Sequence, residues 1–149
     1  MKWRKNRFYV LRLLAYNRTN LSFAIGYIKD IKEKKIMPYV SITTAKKLDD
    51  ATKAELYSKI GELMPILPGK NPGNTLLAVN DGVSMFMSGK PDDGVFVSVQ
   101  LLKKSPEESK KEFSRKFYEV LKDVLKIDGG CVYMNFTEFE NWAANGNYF

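Results

Sequence analysis

The sequence predicts an α/β (α+β) domain in which two βαβ halves share one four-stranded mixed sheet, with two antiparallel helices on one face. Three observations carry that expectation. Strand-type and helix-type runs alternate as strand–helix–strand twice over, in halves of similar length. Each helical run shows a single apolar stripe at helical spacing. A loop dense in glycine, proline and aspartate, residues 89–94, separates the halves.

The elements follow in order. Pro38 opens the first strand, residues 38–44, where Tyr39, Val40, Ser41, Ile42 and Thr43 form an alternating β-pattern. Leu48-Asp49-Asp50 offers an N-cap to the first helix, whose Leu56, Ile60, Leu63, Met64 and Leu67 share a face and which Pro65 ends or distorts. The loop Pro68-Gly69-Lys70-Asn71-Pro72-Gly73 is rich in breakers. Residues 75–80 are a short apolar strand, followed by an Asp81-Gly82 turn and a second short piece over 83–87. Residues 95–102 are the strongest strand, rich in valine and leucine. Ser105-Pro106-Glu107-Glu108 has the pattern of a capping box with proline in the first turn. Phe113, Phe117, Val120, Leu121 and Val124 then repeat at helical spacing until Asp128-Gly129-Gly130 stops the helix. Residues 131–136 are the last strand, and Cys131 within it reads as a small buried hydrophobe. A four-stranded sheet with both helices on one face leaves its other face bare, and oligomerisation is the simplest cover.

Composition narrows the chemistry. The 149 residues suffice for one domain, or one domain and a tail. Histidine is absent, which removes Ser-His-Asp and Cys-His catalysis, imidazole proton shuttles and histidine metal ligands. Cys131 is the only cysteine, so there is no intrachain disulfide and no Cys-x-x-Cys site. No apolar run is long enough to span a membrane. The net charge of +7 sits in residues 1–36, which hold ten Lys/Arg and two acids, while residues 37–149 hold 14 bases and 15 acids. A nucleic-acid surface needs clustered cations on the folded face itself, so no nucleic-acid partner is expected. Residues 1–36 form a basic N-terminal extension. They read equally as an upstream stretch outside the mature protein and as a targeting or accessory segment; their apolar piece is too broken for a clear signal peptide.

Met37-Pro38 opening a strand, the Gly69-Lys70-x-Pro72 loop, Val132-Tyr133-Met134-Asn135-Phe136 and the ending Asn141-Trp142-Ala143-Ala144-Asn145-Gly146-x-x-Phe149 together resemble the macrophage migration inhibitory factor family of the tautomerase superfamily. The resemblance covers residues 37–149. It implies a homotrimer whose three sheets wrap into a barrel, with sites between neighbouring subunits. It implies keto–enol tautomerisation of aromatic α-keto acids such as phenylpyruvate, without a cofactor or metal. It also implies a cytokine-like signal acting at a cell-surface receptor, in the cytoplasm, secreted, or both.

Each role is carried over by position. Proton transfer between carbon and oxygen needs a base near neutrality and a cation for the carboxylate. Pro38 supplies the base only if the chain is cut ahead of it: a free α-amine has a pKa of about 8, whereas an internal proline nitrogen is an amide. On residues alone Lys70 reads first as an ordinary solvated loop lysine; the resemblance makes it the cation that holds the carboxylate. The backbone amide of Leu102 helps hold the carboxylate, although Lys103 follows where the family usually has glycine. Tyr133 and Asn135, two apart on a strand, share a face and come from the neighbouring subunit. Phe149 closes the pocket wall or, equally, packs as a C-terminal anchor. Gly94-Val95-Phe96-Val97 stands where some members have Cys-x-x-Cys, so no thiol–disulfide activity is expected, and Ala144 replaces the tail's second tryptophan. The alternative function is a secreted signalling protein without significant catalysis, Pro38 being blocked by the extension.

Overall fold

Alternation of apolar and polar residues lays down the sheet, and the helices cover its apolar side. The computed structural model of the chain describes residues 37–87, 89–91, 93–127 and 131–148; the basic extension, Asp128-Gly129-Gly130 and Phe149 lie outside the described residues. The elements are β1 (Tyr39–Thr44), α1 (Asp50–Leu63), β2 (Leu76–Asn80), β3 (Phe86–Met87), β4 (Lys90–Pro91), β5 (Val95–Leu102), α2 (Glu107–Leu125), β6 (Val132–Phe139), β7 (Ala143–Ala144) and β8 (Asn147–Tyr148). The main sheet has the order β2-β1-β5-β6. β1 pairs parallel with β2, and β5 parallel with β6, while the central β1–β5 pair is antiparallel. Each parallel pair is bridged by one helix, which gives the two expected βαβ halves. Because β1 and β5 run oppositely, the returning helices run oppositely too.

One core holds the halves together. Val40 and Ile42 of β1 and Val95, Val97, Val99 and Leu101 of β5 point to the same side. They meet Leu56 and Ile60 of α1 and Phe113, Phe117 and Leu121 of α2. Phe113 stacks at 5.4 Å from Phe117 and edge-on at 6.1 Å from Phe136. Every buried side chain of this core lies between Val40 and Ile127. The opposite face carries Leu76, Phe96, Tyr133 and Phe139, all exposed, alternating with polar neighbours on the same strands.

Local signals mostly act as expected. Asp49 caps α1, its carboxylate accepting the Thr52 N–H at 2.8 Å, and α1 gives way at Pro65 to a 3₁₀ turn over Met64–Ile66. The capping box at Ser105 does not form. The Ser105 N–H donates to Glu138 on β6 at 2.8 Å, and Glu108 pairs with Lys111 instead. A carboxylate from another element outcompetes the local one because it also receives Lys110 at 3.1 Å. α2 ends at Lys126, left-handed at φ 51°, before the Asp-Gly-Gly run; Lys46 Nζ donates to the freed Leu125 carbonyl at 2.9 Å. β6 runs to Phe139, three residues past the expected strand, and Cys131 just ahead of it is half-buried. The tail folds into the β7–β8 hairpin across Asn145-Gly146, both at positive φ as a two-residue hairpin turn requires.

Candidate active site

The first edge of the site is Pro38, buried at the entrance to β1. Proline lacks an N–H, so it belongs at a strand's first position, and its carbonyl accepts the Leu76 N–H at 3.0 Å. The β1–β5 register pairs Tyr39 with Gln100. One further step sets Pro38 opposite Leu101, a residue short of Leu102, at a strand spacing of about 5 Å.

Lys70 reaches the same end of β5 from the loop after α1. The Lys70 N–H donates to the Leu67 carbonyl at 3.0 Å across Pro68 and Gly69, and Gly69 has φ 75°. Proline then glycine at the two central positions is the chemistry of a tight turn of this kind, and the turn sends the lysine inward. The residue is only 6% exposed. Its Nζ donates to the Leu102 carbonyl at 3.0 Å. An ammonium has three donors, so two remain for a ligand. Burial, and after it the charge of Lys103, push the Lys70 pKa below its ordinary value; Glu138 pulls partly back. Among the described residues neither Lys70 nor Lys103 is in an ion pair. A buried ammonium so placed has the charge and the spare donors that binding an anion requires.

The contact between Leu102 and Lys70 is made by the Leu102 carbonyl; the role expected for Leu102 is for its amide. Lys103, immediately after, sits at φ 66°. A side chain in this left-handed region costs roughly 1–2 kcal/mol. The conformation is pinned, since the Lys103 N–H donates to the Phe139 carbonyl at 2.8 Å and Glu138 holds Ser105 and Lys110 beside it. Neither Lys103 as a second cation nor Glu138 as a brace was expected from the sequence. The Leu-Lys-Lys-Ser-Pro run at the end of a strand was the available signal.

Tyr133 and Asn135 do share a face of β6, as expected, and both are exposed, Tyr133 at 55%. They stand apart from Pro38 and Lys70. Tyr133 pairs with Phe96, whereas Leu102 pairs with Phe139. Six steps of strand, about 20 Å, separate the Tyr133 level from that of Leu102, and four steps, about 13 Å, separate that of Asn135, which pairs with Ser98. One copy of the chain therefore unites Pro38, Lys70 and Leu102 but not the Tyr133–Asn135 pair, and Phe149 lies outside the described residues. Among the described residues no cluster of three or more His, Cys, Asp or Glu could hold a metal ion, and no helix is long and apolar enough to cross a membrane.

Comparison with known proteins adds independent findings. Residues 37–148 match the family model of macrophage migration inhibitory factor. No curated protein sequence matches significantly. Among solved structures, MIF2 of Leishmania major is similar with a TM-score of 0.70 at 18% identity, over 76% of this chain and 97% of that one. A macrophage migration inhibitory factor-like protein of Entamoeba histolytica is similar with a TM-score of 0.66 at 21% identity, over 75% and 98%. A fused 4-OT described as an asymmetric trimer has a TM-score of 0.63 at 14% identity, over 73% and 94%. Nearly the whole length of each relative thus corresponds to about three-quarters of this chain.

Proposed function

The chain belongs to the macrophage migration inhibitory factor family, and from that premise we propose that it is a cofactor-independent keto–enol tautomerase of aromatic α-keto acids, active when the backbone is cut ahead of Pro38. The observation that carries this reading is the buried Lys70 ammonium, which spends one N–H on Leu102 and keeps two for a carboxylate beside the start of β1. Lys70 holds the substrate carboxylate. The Pro38 lone pair takes a proton from the carbon between keto group and ring. The electrons of that C–H bond pass into the enolate, whose oxygen takes the proton back from the pyrrolidinium, restoring the amine. A free Pro38 amine starts near pKa ~8, and burial and the Lys70 charge both disfavour its protonated form.

The bare sheet face supports a homotrimer, in which the Tyr133 and Asn135 of a neighbouring copy complete the pocket that one copy leaves open. The tyrosine then lines the ring and the asparagine bonds a ring substituent. The fused 4-OT relative, itself described as a trimer, is consistent with this assembly.

A second reading rests on Met37, which precedes Pro38 here and makes its nitrogen an amide. With that bond intact the protein is a cytokine-like binding module for a cell-surface receptor, and the pocket is incidental. The test is enol-to-keto conversion of phenylpyruvate, followed by enol absorbance, with protein beginning at Pro38. Turnover that saturates with substrate supports the tautomerase; a rate equal to buffer alone overturns it.

A further inference from the structure

Contacts to β6 hold the left-handed backbone of Lys103, but nothing in the fold calls for a lysine there. Its backbone conformation favours glycine, yet a long cationic side chain stands there, and the loop holding it is tied on both sides to β6 through Phe139 and Glu138. Its neighbour Leu102 carries the carbonyl that receives Lys70 Nζ at 3.0 Å, so Lys103 follows directly on the residue that anchors the buried lysine. Their charges interact: Lys103 is one of the groups that disfavour the protonated Lys70. Glu138, the carboxylate whose charge acts on Lys70, already receives Lys110 at 3.1 Å and the Ser105 N–H at 2.8 Å. Lys70 is buried, with two N–H donors left beyond its bond to Leu102, while Lys103 is exposed. The two cations therefore stand at different depths of the same site.

We infer that Lys103 is a specificity-determining residue that binds a second anionic group on the substrate, so that the site favours α-keto acids with an additional carboxylate over monoanionic ones. This rests on the tautomerase reading for the identity of the substrate, but not for the binding of the anion. The test separates the two. The unreactive anions 3-phenylpropanoate and 4-(2-carboxyethyl)benzoate, which differ by one ring carboxylate, are titrated by NMR into the full chain and into protein beginning at Pro38. Rates are measured in parallel for phenylpyruvate and its 4-carboxy derivative.

The dianion binds about threefold to fivefold more tightly than the monoanion, the range of an exposed ion pair, and the ratio of kcat/KM follows. In Lys103→Gly, which suits φ 66°, both ratios fall to about one; about 0.5 M salt does the same to the parent. Lys104→Gln keeps the parent ratio. Equal ratios in the parent and Lys103→Gly, or equal losses in the Lys103 and Lys104 variants, overturn the inference. Absence of turnover with the binding ratio intact and sensitive to Lys103→Gly removes the tautomerase reading and supports this one.

Discussion

Lys70→Met separates the stability cost of the site from its function. Methionine follows the lysine stem, so the 6%-exposed position stays filled while the charge is removed. Two opposing effects then act on stability. The variant loses the hydrogen bond to Leu102 and leaves that carbonyl unpartnered, at a cost of about 1–3 kcal/mol. It also removes a buried ammonium with no ion-pair partner among the described residues, whose desolvation costs several kcal/mol. The second effect wins, so the variant is more stable by about 1–2 kcal/mol and its Tm rises by roughly 4–8 °C. Function moves the other way. Loss of a buried charge that meets the substrate carboxylate costs about 2–4 kcal/mol, or a ~30- to ~1000-fold fall in kcat/KM. The folded pKa of Lys70 is lowered, so the destabilising charge is present below that pKa and relieved as pH rises through it. The stability gap between variant and parent should therefore narrow at high pH. Thermal melts against pH and phenylpyruvate kinetics read both effects. A variant that melts at or below the parent and keeps kcat/KM within threefold would refute the reasoning.

Three other outcomes are expected. Phe113→Ala opens the aromatic centre shared with Phe117 and Phe136 and lowers stability by about 3–5 kcal/mol, read by denaturant unfolding. Asp81, held by the Leu48 N–H at 2.9 Å and by Lys53 and Lys47 at 3.1 and 3.4 Å, has its carboxyl far below the usual range. Its stabilisation is full above the ordinary carboxylate pKa of about 4 and is lost as pH falls toward the folded value, so the melting curve of Asp81→Asn should be flatter between about pH 4 and 2. Phe96→Asp places a charge on the bare sheet face and shifts sedimentation from trimer toward monomer; a parent protein that sediments as a monomer at micromolar concentration contradicts the assembly.

The main sheet and both helices were legible because each is specified within its own residues. Val95–Leu101 alternates buried residues with more exposed ones, and α2 repeats Phe113, Phe117 and Leu121 on one stripe. Features that depend on a distant partner were not legible. The capping box at Ser105 had its local signal, but Glu138, thirty-three residues on, takes the bond. The left-handed Lys103 gave no sign, because nothing about a lysine asks for positive φ; the contact with Phe139 imposes it. The β7–β8 hairpin did have its Asn-Gly signature, but strands of two residues carry no alternation to read. At the site, Pro38 and Lys70 both reach the same end of β5, while Tyr133 and Asn135 lie further along the sheet, on the level of Phe96 and Ser98.

The nitrogen of Pro38 decides the account. Phenylpyruvate turnover should be measured side by side for protein beginning at Pro38 and for the same protein retaining Met37, with intact mass confirming each N-terminus. The account expects activity from the first, rising with pH to a plateau below about pH 8, and only the buffer rate from the second. Equal turnover by both would contradict it, because the lone pair of an amide nitrogen is delocalised into the carbonyl and does not accept the proton.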